Sequence, residues 1–488
     1  MKPIHEILDN SARKYPHKSA IVFDDLKLSY GELLKKTQFL SNFIQGKISS
    51  GNVISLLCEN SPFFIISYVS ILKSGCIAHI IPPAISDFNL KEQIKETNPE
   101  MILSNTSFEQ KLNRTDLIKK TFFVENDSKL LESNNNDFYG NGFNETSSII
   151  FTSGTTSKPK GVKLTHKNVL TATSNIVKMI DLQPNDIEIN SLSLSHSFGL
   201  GCLHAIFLQG ATSLIFKNTI NLQEILKNGK HENATGLVGV PTTFYQILNS
   251  FTELFSSIPS IRYLLTNTAP MKKESILQVT NLFPKANFYT YYGLTEASRS
   301  TFLLFNKNKN KLESVGKTAP GVEIKILDDN GKTLSENQIG EIFIKGDHVI
   351  NNYWNNSKAD ESIENGWLKT SDLGYFDSDG FLFLKSRKDD LINVGGEEFT
   401  AEEVELVIKE IPEISDAAVI GVPNDLFGQS PVAFAVINNE ITPSQIINHC
   451  CKKLERYKIP NKILFLDIIP KTDSGKIKRN ALKSKFTQ

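Results

Sequence analysis

The chain has 488 residues, 40% hydrophobic and 22% charged, an ordinary globular composition too long for one compact core. Lysine plus arginine and aspartate plus glutamate both number 53, so charge gives no reason to expect a nucleic acid or an anionic membrane surface as partner. No run nears the roughly 20 apolar residues of a membrane span, and Met1-Lys-Pro-Ile-His-Glu6 lacks a signal peptide's apolar stretch.

Up to about residue 120, helical patterns alternate with short apolar strands such as 53–58 and 76–81, which predicts an α/β domain with a parallel sheet. The most apolar stretch, 63–81, is interrupted by Lys73-Ser-Gly75 and predicts a buried helix running into a strand. Residues 125–144, rich in Asn, Ser and Asp, predict a surface loop. A buried strand follows at 147–151. It opens into Phe151-Thr-Ser-Gly-Thr-Thr-Ser-Lys-Pro-Lys-Gly161, and Thr165 is placed to cap a helix beginning near His166.

That loop has the chemistry of a polyphosphate cradle. Gly154 and Gly161 let backbone approach an anion, Ser153, Thr155, Thr156 and Ser157 supply donors, and Lys158 and Lys160 supply charge. A solvated Ser/Thr/Lys turn is the plainer reading; the order of residues favours phosphate. It is not the Walker loop: where that pattern needs glycine, Gly316-Lys-Thr318 has Lys311 and Gly331-Lys-Thr333 has Ile326.

Farther on, Asn306-Lys-Asn-Lys-Asn-Lys311 reads as a loop with solvated lysines. Residues 322–327 alternate, Asp329-Asn-Gly331 turns and 340–345 return, which predicts half-buried antiparallel strands. Thr400-Ala-Glu-Glu403 reads as a capping box for a helix with Val404, Val407, Ile408 and Ile411 on one face. Strands at 417–421 and 431–437, a helix around 444–454 and a strand at 461–466 complete a separate module. The predicted architecture is α/β: a large N-terminal domain (1–388) of parallel α/β sheets with a β-rich subdomain, then a small α+β C-terminal domain (389–488). Cys58, Cys76, Cys202, Cys450 and Cys451 have neither pair nor zinc spacing and suit a reducing cytoplasm.

The 151–161 loop resembles the nucleotide-binding signature of the adenylate-forming superfamily, which includes acyl- and aryl-CoA synthetases, stand-alone adenylation enzymes and luciferases. Ser157 stands where that family usually has glycine. Further matching segments run on to Arg479. The resemblance implies that Thr152, Ser153, Gly154, Thr155, Thr156 and Lys160 bind ATP. In Tyr291-Tyr-Gly-Leu-Thr-Glu296 it implies that Tyr292 stacks on adenine beside Tyr291 and Gly293, Thr295 contacts the α-phosphate, and Glu296 binds Mg2+. A hard cation of this kind takes carboxylate oxygen and leaves its other positions to phosphate and water. A strand end with a capping Thr is the structural alternative.

Asp372, in Ser371-Asp-Leu-Gly374, and Arg387, in Ser386-Arg-Lys-Asp-Asp390, are implied to hold the ribose; a hairpin corner at 372–377 is the plainer reading. Gly239-Val-Pro-Thr-Thr-Phe244 and Thr266-Asn-Thr-Ala-Pro270 resemble walls of the acyl pocket and adenine site. They place Thr268, Ala269 and Pro270 at the nucleotide and Val240, Pro241, Asn267 and Thr268 at the acid. Asn267 and Thr268 replace small glycines, so a narrower or more polar pocket is expected. His196, in Ser195-His-Ser-Phe-Gly199, maps beside the reacting carboxylate, with Phe198 and Gly199 lining the pocket, against the alternative of a structural histidine.

Lys476, in Pro470-Lys-Thr-Asp-Ser-Gly-Lys-Ile-Lys-Arg479, maps onto the catalytic lysine, which neutralises charge where carboxylate and phosphate meet. Lys471, Lys478 and Arg479 are rivals for that role or plain surface charges. The family's C-terminal domain is mobile, which implies a hinge at Asp389, otherwise a solvated turn, and a thiol tunnel at Gly395 and Gly396.

The implied activity is ATP- and Mg2+-dependent conversion of a carboxylic acid, fatty or another non-amino acid, to an acyl-adenylate. The acyl group then passes to the thiol of CoA, releasing AMP and pyrophosphate. The nearest alternative loads the phosphopantetheine arm of an acyl carrier protein. The His196 segment lacks the Asp that would hold an amino-acid ammonium, and no residue points to a luciferase-like oxidation. A non-catalytic nucleotide sensor would have lost Thr155, Thr156, Glu296, Asp372, Arg387 or Lys476, all of which are present. No Gly-x-Ser-x-Gly elbow supports a hydrolase.

Overall fold

A computed structural model describes residues 2–124, 143–152, 159–217, 221–387, 391–394, 397–424, 427–472 and 475–486. Nearly all of the loop expected at 125–144 lies outside them, as does the boundary expected near residue 389.

The apolar 63–81 stretch folds as expected. Ser61 caps the helix Pro62–Lys73 by accepting from the Phe64 N–H, with proline in the first turn where its missing N–H costs nothing. Gly75, at φ 77°, turns the chain into the strand Ile77–Ile81. That strand and Val53–Leu57 are buried throughout, as parallel strands covered on both faces are. They lie in a six-stranded sheet ordered Thr121–Phe123, Met101–Ser104, Val53–Leu57, Ile77–Ile81, Thr146–Thr152, Lys160–Thr165.

Only the last pair of that sheet is antiparallel, and it flanks the loop predicted to bind phosphate. Phe151 faces Gly161 and Thr152 faces Lys160, so the loop's two ends are held side by side. The helix His166–Ile180, capped by Thr165, whose N–H donates in return to Asn168 Oδ1, begins only after the strand Lys160–Thr165. The sequence reading passes over this strand, because its Lys-Gly-Val-Lys start looks like the tail of the loop.

A nine-stranded sheet stands beside the first, and its six strands from Asn287–Tyr292 across to Ser19–Phe23 are parallel. Val322–Leu327 and Gly340–Gly346 pair antiparallel, as predicted, in a five-stranded sheet with Ile363–Glu364, Trp367–Phe376 and Leu382–Arg387. Here the corner expected at 372–377 is displaced. Asp372 lies within a strand, and the turn comes at Asp377–Gly380, where Lys311 pairs with Asp377 at 2.5 Å and with Asp379 at 2.7 Å. Lys311 is therefore an anchored cation and not a solvated one.

The last five strands form their own sheet, with Lys462–Phe465 parallel to Gly428–Ile437. Two apolar clusters belong wholly to residues 392–486. Thr400 caps Ala401–Ile408 through the Glu403 N–H, but the Glu403 carboxylate pairs with Lys458 at 2.5 Å. The expected capping box is thus half formed. Among the described residues no helix is long and apolar enough to cross a membrane.

Candidate active site

The strand Asn287–Tyr292 ends at Gly293, where a Cβ would meet the Arg299 backbone nitrogen at 2.5 Å and the Ala297 carbonyl at 2.8 Å. Only glycine allows so tight a turn. Leu294 and Ala297 exchange backbone hydrogen bonds across it, and the Ile350 N–H donates to the Glu296 carbonyl at 3.0 Å. Glu296 is half-buried, and its Oε1 accepts from the Tyr353 hydroxyl at 3.1 Å.

Tyr353 links this carboxylate to the phosphate-loop strand. Lys160 Nζ sits 5.8 Å from its ring centroid, Val162 bridges to it, and the Trp354 N–H donates to the Gly161 carbonyl at 2.7 Å. Burial, then the charge of Glu296, raise its phenol well above the usual range. The sequence reading missed Tyr353, which lies in an unremarked Asn-Asn-Tyr-Trp stretch.

Tyr292 and Asp372, both largely buried, meet through a 2.6 Å bond from the phenol to Oδ2. The Asp372 N–H donates to Thr370 Oγ1, and Ser371 before it sits at φ 61°. Asp372 faces Arg387 across the antiparallel pair, which brings that backbone to the same place.

His196, half-buried, is the N-cap residue of the buried helix Ser197–Gln209. A Cβ on Gly199 would lie 2.4 Å from the Ser193 carbonyl. Phe198 packs edge-on to Tyr291, with centroids 5.4 Å apart. Parallel to the strand that carries Tyr291, Tyr263–Thr266 leads into half-buried Asn267 and Thr268 and exposed Ala269 and Pro270. Thr268 holds φ 87°, so the chain keeps a glycine-like backbone at a β-branched residue. Val240 and Pro241 open the helix Pro241–Gln246 nearby in sequence, Val240 half-buried and Pro241 buried.

Arg299 was also missed, though it stands in the same segment as Glu296. It is 2% exposed and at φ 64°, and its guanidinium donates to the carbonyls of Ser197 (3.0 Å) and Phe198 (3.1 Å).

Lys476 is exposed, beside Gly475 at φ 83°. Its N–H donates to Thr472 Oγ1 at 3.0 Å and its carbonyl accepts from the Thr472 N–H at 2.7 Å. Two rival cations are engaged elsewhere, Lys471 with Asp416 (2.5 Å) and Arg479 with Glu405 (2.7 Å). Among the described residues no hydrogen bond or ion pair joins Lys476 to the Tyr291–Glu296 turn. Ser153, Gly154, Thr155, Thr156, Asp389, Gly395 and Gly396 lie outside the described residues.

Among the described residues no group of three acidic, histidine or cysteine side chains forms a closed metal cage. A lone carboxylate such as Glu296 suits a Mg2+ ion that takes its remaining ligands from phosphate and water.

Two family profiles match the chain: "AMP-binding enzyme" over residues 8–354 and "AMP-binding enzyme C-terminal domain" over 403–476. The chain is 29% identical to the 2-succinylbenzoate–CoA ligase of Bacillus subtilis, covering 97% of this chain and 96% of that protein. It is 32% identical to the long-chain-fatty-acid–CoA ligase FadD13 of Mycobacterium tuberculosis, over 70% of this chain and 67% of that one. The o-succinylbenzoate CoA synthetase of Bacillus subtilis superposes in its acyl-adenylate complex with TM-score 0.89 and 27% identity, covering 99% and 98% of the two chains. Its complex with ATP and magnesium ion gives 0.88 at 27% identity, covering 99% of each chain.

Proposed function

The chain belongs to the AMP-binding enzyme family, and from that premise we propose that it is an acid–CoA ligase working through an acyl-adenylate. The observation that carries this reading is the linkage of four distant segments. Paired strands close the phosphate loop at Thr152 and Lys160, Tyr353 links Lys160 to Glu296, and Tyr292 is bonded to Asp372.

In the proposed first step a carboxylate oxygen of the acid attacks the α-phosphorus of ATP. The bond from that phosphorus to the bridging oxygen breaks, and pyrophosphate leaves. Lys160 and the loop hold the phosphates, Thr295 contacts the α-phosphate, and Glu296 would hold a Mg2+ ion, which when bound would neutralise phosphate charge. Such a transfer depends on in-line positioning and charge neutralisation more than on covalent help. Tyr292, with Thr268, Ala269 and Pro270, frames the adenine, Asp372 and Arg387 take the ribose, and His196 stands beside the reacting carboxylate. In the second step the sulfur of CoA, its proton lost to solvent, attacks the acyl carbon, and AMP departs with the former carboxylate oxygen.

CoA is preferred to a carrier protein because the relatives named above are CoA ligases. Those relatives differ in their acids, so the family alone leaves the substrate open. Residues 1–388 and 389–488 are proposed as the two domains, with Asp389 as hinge, Lys476 acting in the first step, and Gly395 and Gly396 admitting the pantetheine arm in the second.

The test is acid-dependent exchange of pyrophosphate into ATP without acceptor, followed by CoA-dependent release of AMP. Exchange with at least one acid and AMP release on adding CoA are expected. ATP binding with no exchange for fatty, aromatic or dicarboxylic acids would instead favour a nucleotide sensor.

A further inference from the structure

Arg299 is a buried cation whose partners are neutral. Its guanidinium donates to two backbone carbonyls of the helix that follows His196 and lies 5.2 Å from the Tyr291 ring centroid. A Cβ on Gly201 would fall 2.3 Å from Nη2, so a glycine in that helix makes room for it. Its Nε is buried with no hydrogen-bond partner, and no ion pair joins Arg299 to a carboxylate among the described residues. The buried acid Glu188 accepts from the Tyr263 hydroxyl at 2.9 Å; burial raises its carboxyl and the charge of Arg299 lowers it, yet no hydrogen bond or ion pair joins the two.

A buried charge that no carboxylate contacts is costly, and the surroundings offer a place for one. Arg299 lines a cavity of about 40 Å³ whose wall is mainly apolar (Ile150, Leu164, Val169, Leu200), with Thr295, Ser197, Asn168, His204 and His348 as its polar groups. The Nδ1 atoms of both histidines are also buried without a hydrogen-bond partner. The cavity reaches Thr295, the residue proposed to meet the α-phosphate. Its volume suits about three water-sized groups, which is room for a short arm and not for a long alkyl chain. Phe198 and Phe302, with centroids 5.4 and 5.7 Å from that of Tyr291, pack around the aromatic ring beneath the guanidinium.

We propose that the acid is a short dicarboxylate: one carboxylate reacts beside Thr295, and the other is bound in this cavity by Arg299. The proposal rests on the ligase reading above and names its substrate class. A purely structural Arg299, clipping the start of a helix, is the competing account.

The experiment compares kcat/KM for ATP–pyrophosphate exchange by the full chain with matched acids: succinate against butyrate, and glutarate against pentanoate. The dicarboxylates are expected to be better by at least about tenfold, the scale of a hydrogen bond to a charged group. Arg299→Lys and Gly201→Ala are expected to shrink that ratio, mainly through KM for the dicarboxylate. Equal or better use of the monocarboxylates would overturn the proposal while leaving the ligase reading intact, as would an equal loss for both acid types in Arg299→Lys. Exchange with no acid at all would remove the ligase reading itself. If neither variant folds, the ratio in the unaltered protein still decides.

Discussion

The phenol of Tyr292 donates to Asp372 Oδ2 at 2.6 Å, fastening the end of a parallel strand to the middle of an antiparallel one. A carboxylate has lone pairs enough to keep this bond and still accept from a sugar's two hydroxyls. Tyr292→Phe removes a donor from a buried carboxylate and is expected to cost about 1–3 kcal/mol of stability, measured by urea unfolding. Asp372→Ala is expected to raise KM for ATP by about tenfold or more with a smaller change in kcat. An unchanged KM would remove Asp372 from the nucleotide site.

At Thr268 a β-branched side chain is held at φ 87°. Backbone strain of this kind costs on the order of 1–3 kcal/mol and persists where the surroundings impose it. Thr268→Gly is therefore expected to raise the thermal unfolding midpoint by about 2 °C. Because Thr268 also sits in the proposed adenine and acid wall, the substitution is expected to change KM for the acid. An unchanged or lower midpoint would show that the threonine's packing outweighs its strain.

Five histidines are held below their ordinary value of 6.5, chiefly by burial: His5 and His204 at about 3, and His79, His166 and His348 at about 4. Their folded values lie below the unfolded one, so the unfolded chain binds more protons between these limits. The neutral rings leave stability intact above pH 6.5, and it is lost as pH falls toward 4. For His79, which contacts Ser55 Oγ at 2.8 Å and Gln93 Oε1 at 3.3 Å, the gap amounts to on the order of 3 kcal/mol. His79→Gln is expected to flatten the dependence of the melting midpoint on pH in this window. Parallel curves for variant and parent would refute the assignment.

What was legible in the sequence was local. The helix-to-strand passage at 63–81, the cap at Thr165 and the antiparallel strands beyond residue 320 depend on neighbours in the chain, and all are found in the structure. Glu403 was misjudged because the cation that takes its carboxylate, Lys458, is supplied by another element. Tyr353 and Arg299 were invisible for the same reason. One acts on Glu296 from fifty-seven residues away and the other on carbonyls about a hundred residues back. Neither relationship leaves a periodic or spaced trace in the sequence.

Lys476 is proposed to act in the first half-reaction alone. It is exposed on a loop with Gly475 at φ 83°, while Lys471 and Arg479 are engaged by Asp416 and Glu405. If its ammonium acts only where carboxylate meets phosphate, Lys476→Ala removes one positioned charge from the first step alone. Losses on the order of 10²–10³ are typical for a single group stabilising charge in the transition state, and ATP–pyrophosphate exchange is expected to fall by that much. Thioester formation from supplied acyl-AMP and CoA is expected to fall far less, because the phosphate bond has already been exchanged. The check is to run both assays on one preparation of the variant. Equal loss in the two would mean that Lys476 supports the fold or both steps alike, whereas loss of exchange alone would identify the cation of the adenylating state.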